Sequence, residues 1–513
     1  MKSSGKILLV LLFGVHLAKV SWGQPVIYRA KKVHATPVLT YQPGEILVEG
    51  GKIKAIGKSV KKPAKCKIIE WKELEIYPGL ISPGASLGLA EINALRPTRD
   101  EREVGSHTPE VEAWVAINPD SELIPVARAN GIAHALVVPM GGTISGTSGL
   151  IALDGWGVEE MAVKKKVALH LWWPGHGISL PSSIGNSKTK SIDDQVKERK
   201  SRIREIDEFF DQAEAYRNAR EAKVANFSKI PGWEAMLPVL SRKLPLMIHA
   251  DDIRQIKAAV EWAIKRDYRY VLSGGRDAWK LADWLAEKKT AVVYRHIFSA
   301  PSQRNQPHDR QYRAPAILAK AGVPLSIGLP LGAWSAANQR NLPYHVAQAI
   351  AYGLPREKAL ASITLEPAKL MGVDNRLGSL EIGKDATFLS CSGDLFDLRS
   401  SVKHLILSGR EVNMGSRHTR LYERYAKRPR GIPNNKEVQS KNIVIRIDSS
   451  GKYFLNDQLT KQDSLEKKLR EMEANPVLIR AHSGVPYTQI VRLMEITSGL
   501  GIRKVTLATD KSP

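Results

Sequence analysis

Several side chains able to do chemistry sit just beyond short apolar runs. They are His170 and His176 in ALHLWWPGH, His249 and Asp251 in LMIHADD, Arg276 and Asp277 in SGGRD, and His296. Neutral imidazole is a zinc ligand, so His170, His176 and His249 are the candidate metal-binding set. A carboxylate close to basic groups can move protons, which makes His249, Asp251, Arg276 and Asp277 the candidate catalytic set. The plainer alternative, hydrogen-bonded histidines with no metal, is preferred. Trp172 and Trp173 offer either an aromatic wall for a ring ligand or core packing. The string MGGTISGTSG lacks the lysine of a phosphate-binding loop and reads as a tight loop near a site.

The elements that must position these groups alternate. Between residues 77 and 372, apolar runs such as Lys166–Trp172, Leu246–His249, Tyr270–Leu272, Ala291–Tyr294 and Leu325–Ile327 are separated by amphipathic stretches such as Ile253–Lys265 and Ala278–Glu287. Strand–helix alternation over this length predicts parallel β/α packing, most economically a (β/α)8 barrel with its chemistry at the C-terminal ends of the strands. Residues 192–225 predict a long charged helix, with Ile192, Val196, Ile203, Ile206, Phe210 and Ala213 near the helical period. Ahead of the barrel, GEILVEGGKIKAIG predicts a hairpin turning at Gly50-Gly51.

LVEGGKIKAIG, YPGLI and the exit string LPREKALASITLEPAKLMGVDNRLGSLEIGKDATF resemble the amidohydrolase superfamily over roughly residues 26–415. The chain looks most like imidazolonepropionase-related exported members. The resemblance implies a hydrolase fold acting on C–N bonds other than peptide bonds. It also implies a small composite β-sandwich built from residues 24–76 and 375–415 around a barrel of residues 77–374, and barrels that often pair as homodimers.

The family's metal ligands are mostly missing at the matching positions. Its first-strand pattern PGLID-x-H-x-H reads YPGLISPGAS here, leaving Gly84 and Ser86 where two histidines belong. His249 matches the fifth-strand histidine, Ser273 falls at the sixth-strand position, and Pro330 lies near the place of the eighth-strand aspartate that both binds metal and accepts a proton. One histidine cannot hold a catalytic zinc. The resemblance therefore predicts no cofactor, with zinc entering only through a rewired site. It predicts a ligand-binding pseudoenzyme, or an enzyme with altered chemistry.

Lys2 and Lys6 precede the apolar run Ile7–Val15, and Ser21-Trp22-Gly23 supplies small residues before Gln24. Residues 1–23 thus read as a secretory signal peptide and predict export, with the periplasm as destination and no membrane span in the mature chain. The net charge of +24 favours anionic partners. No basic run interleaved with aromatics stands out, so nucleic acid is not among the expected partners. Cys66 and Cys391 lie in the two halves of the composite domain; a bridge between them is one option, and separately buried thiols the preferred one.

Residues 416–442 are polar and basic with two prolines and read as a linker. Residues 443–513 then read strand, hairpin, helix, strand, helix, strand. Leu465, Leu469 and Met472 supply one helix face, and Ile490, Val491, Met494 and Ile496 the other. The strings GKYFLNDQLT and VLIRAHSGVPYTQIVRLMEITSGLGIRKVTLAT resemble the periplasmic α+β domain of the ExbD/TolR biopolymer-transport family. That family's transmembrane helix with its proton-carrying carboxylate has no counterpart here. The resemblance implies docking to an envelope protein or cell-wall ligand rather than proton-driven motion.

Overall fold

The structure, a computed structural model, describes residues 24–178, 190–427, 443–472, 477–482, 484–502 and 505–510. The expected signal peptide lies outside the described residues. The described residues divide into two compact units, those up to Leu421 and those from Tyr422 onward.

In the first unit, two distant segments build one eight-stranded sheet. Val26–His34 pairs in parallel with Lys67–Pro78, which pairs antiparallel with Phe388–Cys391 from the far end of the barrel. The predicted hairpin is present: Glu49 faces Lys52 across Gly50 and Gly51, both with positive φ, as a tight two-residue turn requires. Tyr28, Trp71 and Phe388 pack edge-on and tilted at the centre of the buried face.

The same sheet rules out the disulfide. Cys391 lies opposite Glu75, whereas Cys66 precedes the first residue of that strand. Nine residues of extended chain span about 30 Å, far beyond the Cα separation a bridge tolerates. Both cysteines are free; Cys391 is buried and Cys66 half-buried.

The barrel strands are β1 (Leu80–Ala85), β2 (Ile132–Val137), β3 (Ile144–Ala152), β4 (Ala162–Trp172), β5 (Leu246–Ala250), β6 (Tyr270–Gly274), β7 (Val292–Tyr294) and β8 (Leu325–Ile327). They form one nearly closed sheet in sequential order. Inward positions Ile81, Leu136, Leu150, Met247, Val271 and Val293 fill its interior as a separate apolar cluster. The helices Ile253–Lys265, Ala282–Glu287 and Arg310–Lys320 cover the outside between the later strands. Ile253–Lys265 begins with a reciprocal cap between Asp252 and Gln255, which explains its sharp start.

One strand departs from the regular pattern. β3 runs antiparallel to both β2 and β4, so β2–β3–β4 is a meander without crossover helices. This corrects the reading of MGGTISGTSG as a loop: from Ile144 onward it is buried strand. Gly146 has φ near +103°, and a Cβ there would lie 2.4 Å from the carbonyl oxygen of Val111. Its bare backbone lets the preceding segment pass directly over the strand.

The long charged helix is Ile192–Glu221, four residues shorter than predicted. Its second half packs through Phe210 against Trp262 and Tyr268, at ring-centre distances of 5.0 and 5.3 Å. Ile192, expected on the buried face, is half exposed. The helix Arg417–Ala426 occupies the start of the predicted linker, and residues 428–442 lie outside the described residues.

The second unit is a five-stranded sheet with two helices. Ile443–Ile447 lies at its centre, flanked by Tyr453–Leu455 and by Val477–His482, which pair antiparallel and parallel with it. Leu465 and Leu469 are buried on the helix Gln462–Glu471, as expected, but Met472 is not. On Tyr487–Gly499 the buried positions are Leu493 and Thr497, one step round from the expected Met494. Among the described residues, no helix is long and apolar enough to cross a membrane.

Candidate functional site at the barrel mouth

Alternation along neighbouring strands turns His170 of β4, His249 of β5 and Arg295, just past β7, toward the barrel axis above the apolar layer. All three are buried. Trp172 lies opposite His249 in the β4–β5 register and stacks on its ring, 3.8 Å between centres and 8° from parallel. His249 Nε2 meets His170 Nδ1 at 2.9 Å, and an Arg295 terminal nitrogen meets His249 Nδ1 at 3.1 Å.

These contacts set every proton. A guanidinium can only donate, so His249 Nδ1 accepts and its proton resides on Nε2. That N–H donates to His170 Nδ1, which leaves the His170 proton on Nε2, a buried atom with no partner. Burial pushes His170 down to about 3, and burial with the Arg295 charge holds His249 well below the usual histidine range. Arg295 itself is pushed down to about 10 by burial. Among the described residues no carboxylate lies in ion-pair contact with it, and its Nε has no partner.

The other candidates form a second group. Asp251 accepts from His296 Nε2 at 2.7 Å and from the Arg276 backbone at 3.3 Å. Burial alone would raise the Asp251 carboxyl; the His296 contact and the Arg295 charge outweigh it and hold the group at about 2. Ser299 Oγ lies 2.9 Å from His296 Nδ1. Ser299, His296 and Asp251 are thus in line, yet the serine is three residues from the histidine in a turn closed by its own backbone N–H. Asp277 is buried and committed to Ser302 and Lys280, which gives it a structural task. His176 accepts from Arg254 through its backbone oxygen, and its ring is not gathered with His170 and His249.

The positions do not fit a divalent metal. A Cβ on Gly84 would sit 3.4 Å from Leu331 and 3.8 Å from Val138, so apolar side chains occupy the end of β1. Ser86 Oγ accepts from the Gly332 backbone at 3.1 Å. Both nitrogens of His249 are taken, one by a cation. Among the described residues, no three His, Cys, Asp or Glu side chains come together in a way that would hold a metal ion.

The residue that sequence reading missed is Arg295. Its signal is slight: a charged residue two positions beyond Val293, on the same inward face of a run that reads as core.

Comparison with known proteins matches residues 161–412 to the amidohydrolase family and residues 426–512 to the biopolymer transport protein ExbD/TolR family. The chain thus carries an amidohydrolase-superfamily domain followed by an ExbD/TolR-like domain. An amidohydrolase structure from Thermotoga maritima MSB8 is 24% identical, covers 76% of this chain and 99% of its own, and has a TM-score of 0.65. At that identity it establishes the amidohydrolase fold alone. Another amidohydrolase (16% identity, 76% of this chain, 99% of that one, TM-score 0.47) and a prolidase (13%, 76%, 100%, 0.46) are more distant still. No curated protein matches the chain.

Proposed function

We propose that the chain is an exported binding protein whose amidohydrolase barrel has given up metal-dependent hydrolysis, and whose ExbD/TolR domain docks it to an envelope partner. The observation that carries this reading is the Arg295–His249–His170 chain. The one family metal ligand retained in the sequence has both nitrogens occupied, and a buried cation stands 3.1 Å from it. A guanidinium there repels a dication and offers charge to an anion instead. The ligand that suits this mouth is a small molecule with an accepting or anionic group for Arg295 and His170. Trp172 supplies an aromatic face at the same place. Export rests on residues 1–23 and on the kinship of the second domain.

The test is the metal content of purified protein after exposure to zinc and dialysis. The expected result is far less than one zinc per chain, unchanged by His249→Ala. About one zinc per chain, lost in that variant, would overturn the reading and direct attention to amide and cyclic imide hydrolysis.

A further inference from the structure

Asp251 follows β5 and His296 follows β7, at the C-terminal end of the barrel where chemistry gathers. Between them β6 ends at Gly274, where a Cβ would fall 2.4 Å from Asp251 Oδ1. Only a bare backbone leaves room for that carboxylate. The Arg276 N–H and His296 Nε2 both donate to the same oxygen, at 3.3 and 2.7 Å, so Asp251 is held from two sides.

The carboxylate settles the histidine. It can only accept, so the proton of a neutral His296 resides on Nε2 and Nδ1 is left as an acceptor. The hydroxyl 2.9 Å from Nδ1 belongs to Ser299, which therefore donates its proton to the ring. A turn by itself would not fix this direction, because a serine three residues on is satisfied by either tautomer. The turn contributes by folding the Ser299 N–H back onto the His296 carbonyl, which holds the hydroxyl against its base. Ser299 is half-buried, so its oxygen is within reach of solutes. The next residue, Ala300, is exposed, and among the described residues its N–H donates to no oxygen, which leaves a donor for an oxyanion. Phe298 on the other side is 56% exposed and held edge-on by Tyr312 and His345, an apolar ring suited to a small uncharged acyl compound.

We propose that Ser299 is the nucleophile, His296 the general base and Asp251 the positioning residue of a metal-free site that hydrolyses small carboxylic esters. Ser299 Oγ bonds to the ester carbonyl carbon as its proton passes to His296 Nδ1. That proton goes to the leaving oxygen as the ester C–O bond breaks. Water then adds to the acyl-serine and gives a proton to Nδ1, which returns it to Oγ as the acyl group leaves. One ester and one water yield one alcohol and one carboxylic acid. The site does not rest on what Arg295 and His170 bind, and zinc content, which decides that reading, does not decide this one.

The test uses the full chain dialysed against a chelator. A fluorophosphonate should label it at Ser299, read by peptide mass spectrometry, and phenyl acetate should be hydrolysed without added metal. His296→Gln should slow labelling about 100-fold. Asp251→Asn should lower kcat for phenyl acetate about tenfold or more and leave KM within about twofold, because it frees the ring to take the wrong tautomer. Ser302→Ala, which alters another hydroxyl of the same loop, should be labelled as fast as the wild type. No labelling, labelling at another residue, equal labelling of folded His296→Gln, or phenyl acetate hydrolysis that survives Ser299→Ala would overturn the proposal.

Discussion

His249 donates its Nε2 proton to Nδ1 of His170 across 2.9 Å, and Arg295 dictates that direction by donating to the other side of the His249 ring. The arrangement is a one-way ladder of donors that begins at a charge and ends at an unpaired N–H. It predicts an asymmetry between the middle rung and the charged end. His249→Ala removes the middle rung, strands the Arg295 charge and opens a cavity beside Trp172, and should cost about 2–4 kcal/mol in urea unfolding. Arg295→Met removes a buried charge that has no carboxylate partner and should cost less than about 1 kcal/mol. A larger loss for Arg295→Met than for His249→Ala would mean that the guanidinium holds the fold together.

Acid should destabilise the first unit earlier than its carboxylates would. Burial pushes His134 and His345 down to about 4 and His170 down to about 3. These groups stay neutral in the folded state, whereas an unfolded histidine takes up a proton near pH 6.5. Their contribution is therefore complete above about pH 6.5 and is lost as pH falls toward 4, because the unfolded chain binds more protons. Each adds roughly 1 kcal/mol per pH unit to the slope in that window. Urea unfolding of the wild type and His134→Gln at pH 7, 6 and 5 checks this. The variant should show the shallower slope, and parallel slopes would refute the assignment.

How far the sequence foretells such details depends on how local the cause is. Ile253–Lys265 is legible because its periodicity and its Asp252–Gln255 cap lie within one stretch of chain. The Gly50-Gly51 hairpin is legible for the same reason. β3 is not, because Ser145, Gly146, Thr147, Ser148 and Gly149 have no apolar period and the strand is defined by partners on both sides. The fate of Cys66 and Cys391 turns on the register of a strand between them. The site is half legible: His249 and His170 stand out by their positions at the ends of apolar runs. Arg295, which fixes the tautomers of the pair, reaches His249 from another strand, and only a charge two positions beyond Val293 hints at it.

The two units should unfold as separate steps. The apolar cluster of the second unit, which includes Ile445, Leu465, Ile479 and Leu493, shares no residue with those of the first. Cooperativity requires shared packing, and among the described residues each unit has an apolar core of its own. Leu465 is fully buried on a helix that covers a five-stranded sheet. Leu465→Ala should therefore destabilise the second unit by about 2–5 kcal/mol. Because so small a unit has little stability to lose, its transition should vanish or move to much lower temperature. Differential scanning calorimetry should show the larger transition of the barrel unmoved by this substitution. A matching shift of both transitions would refute independent unfolding.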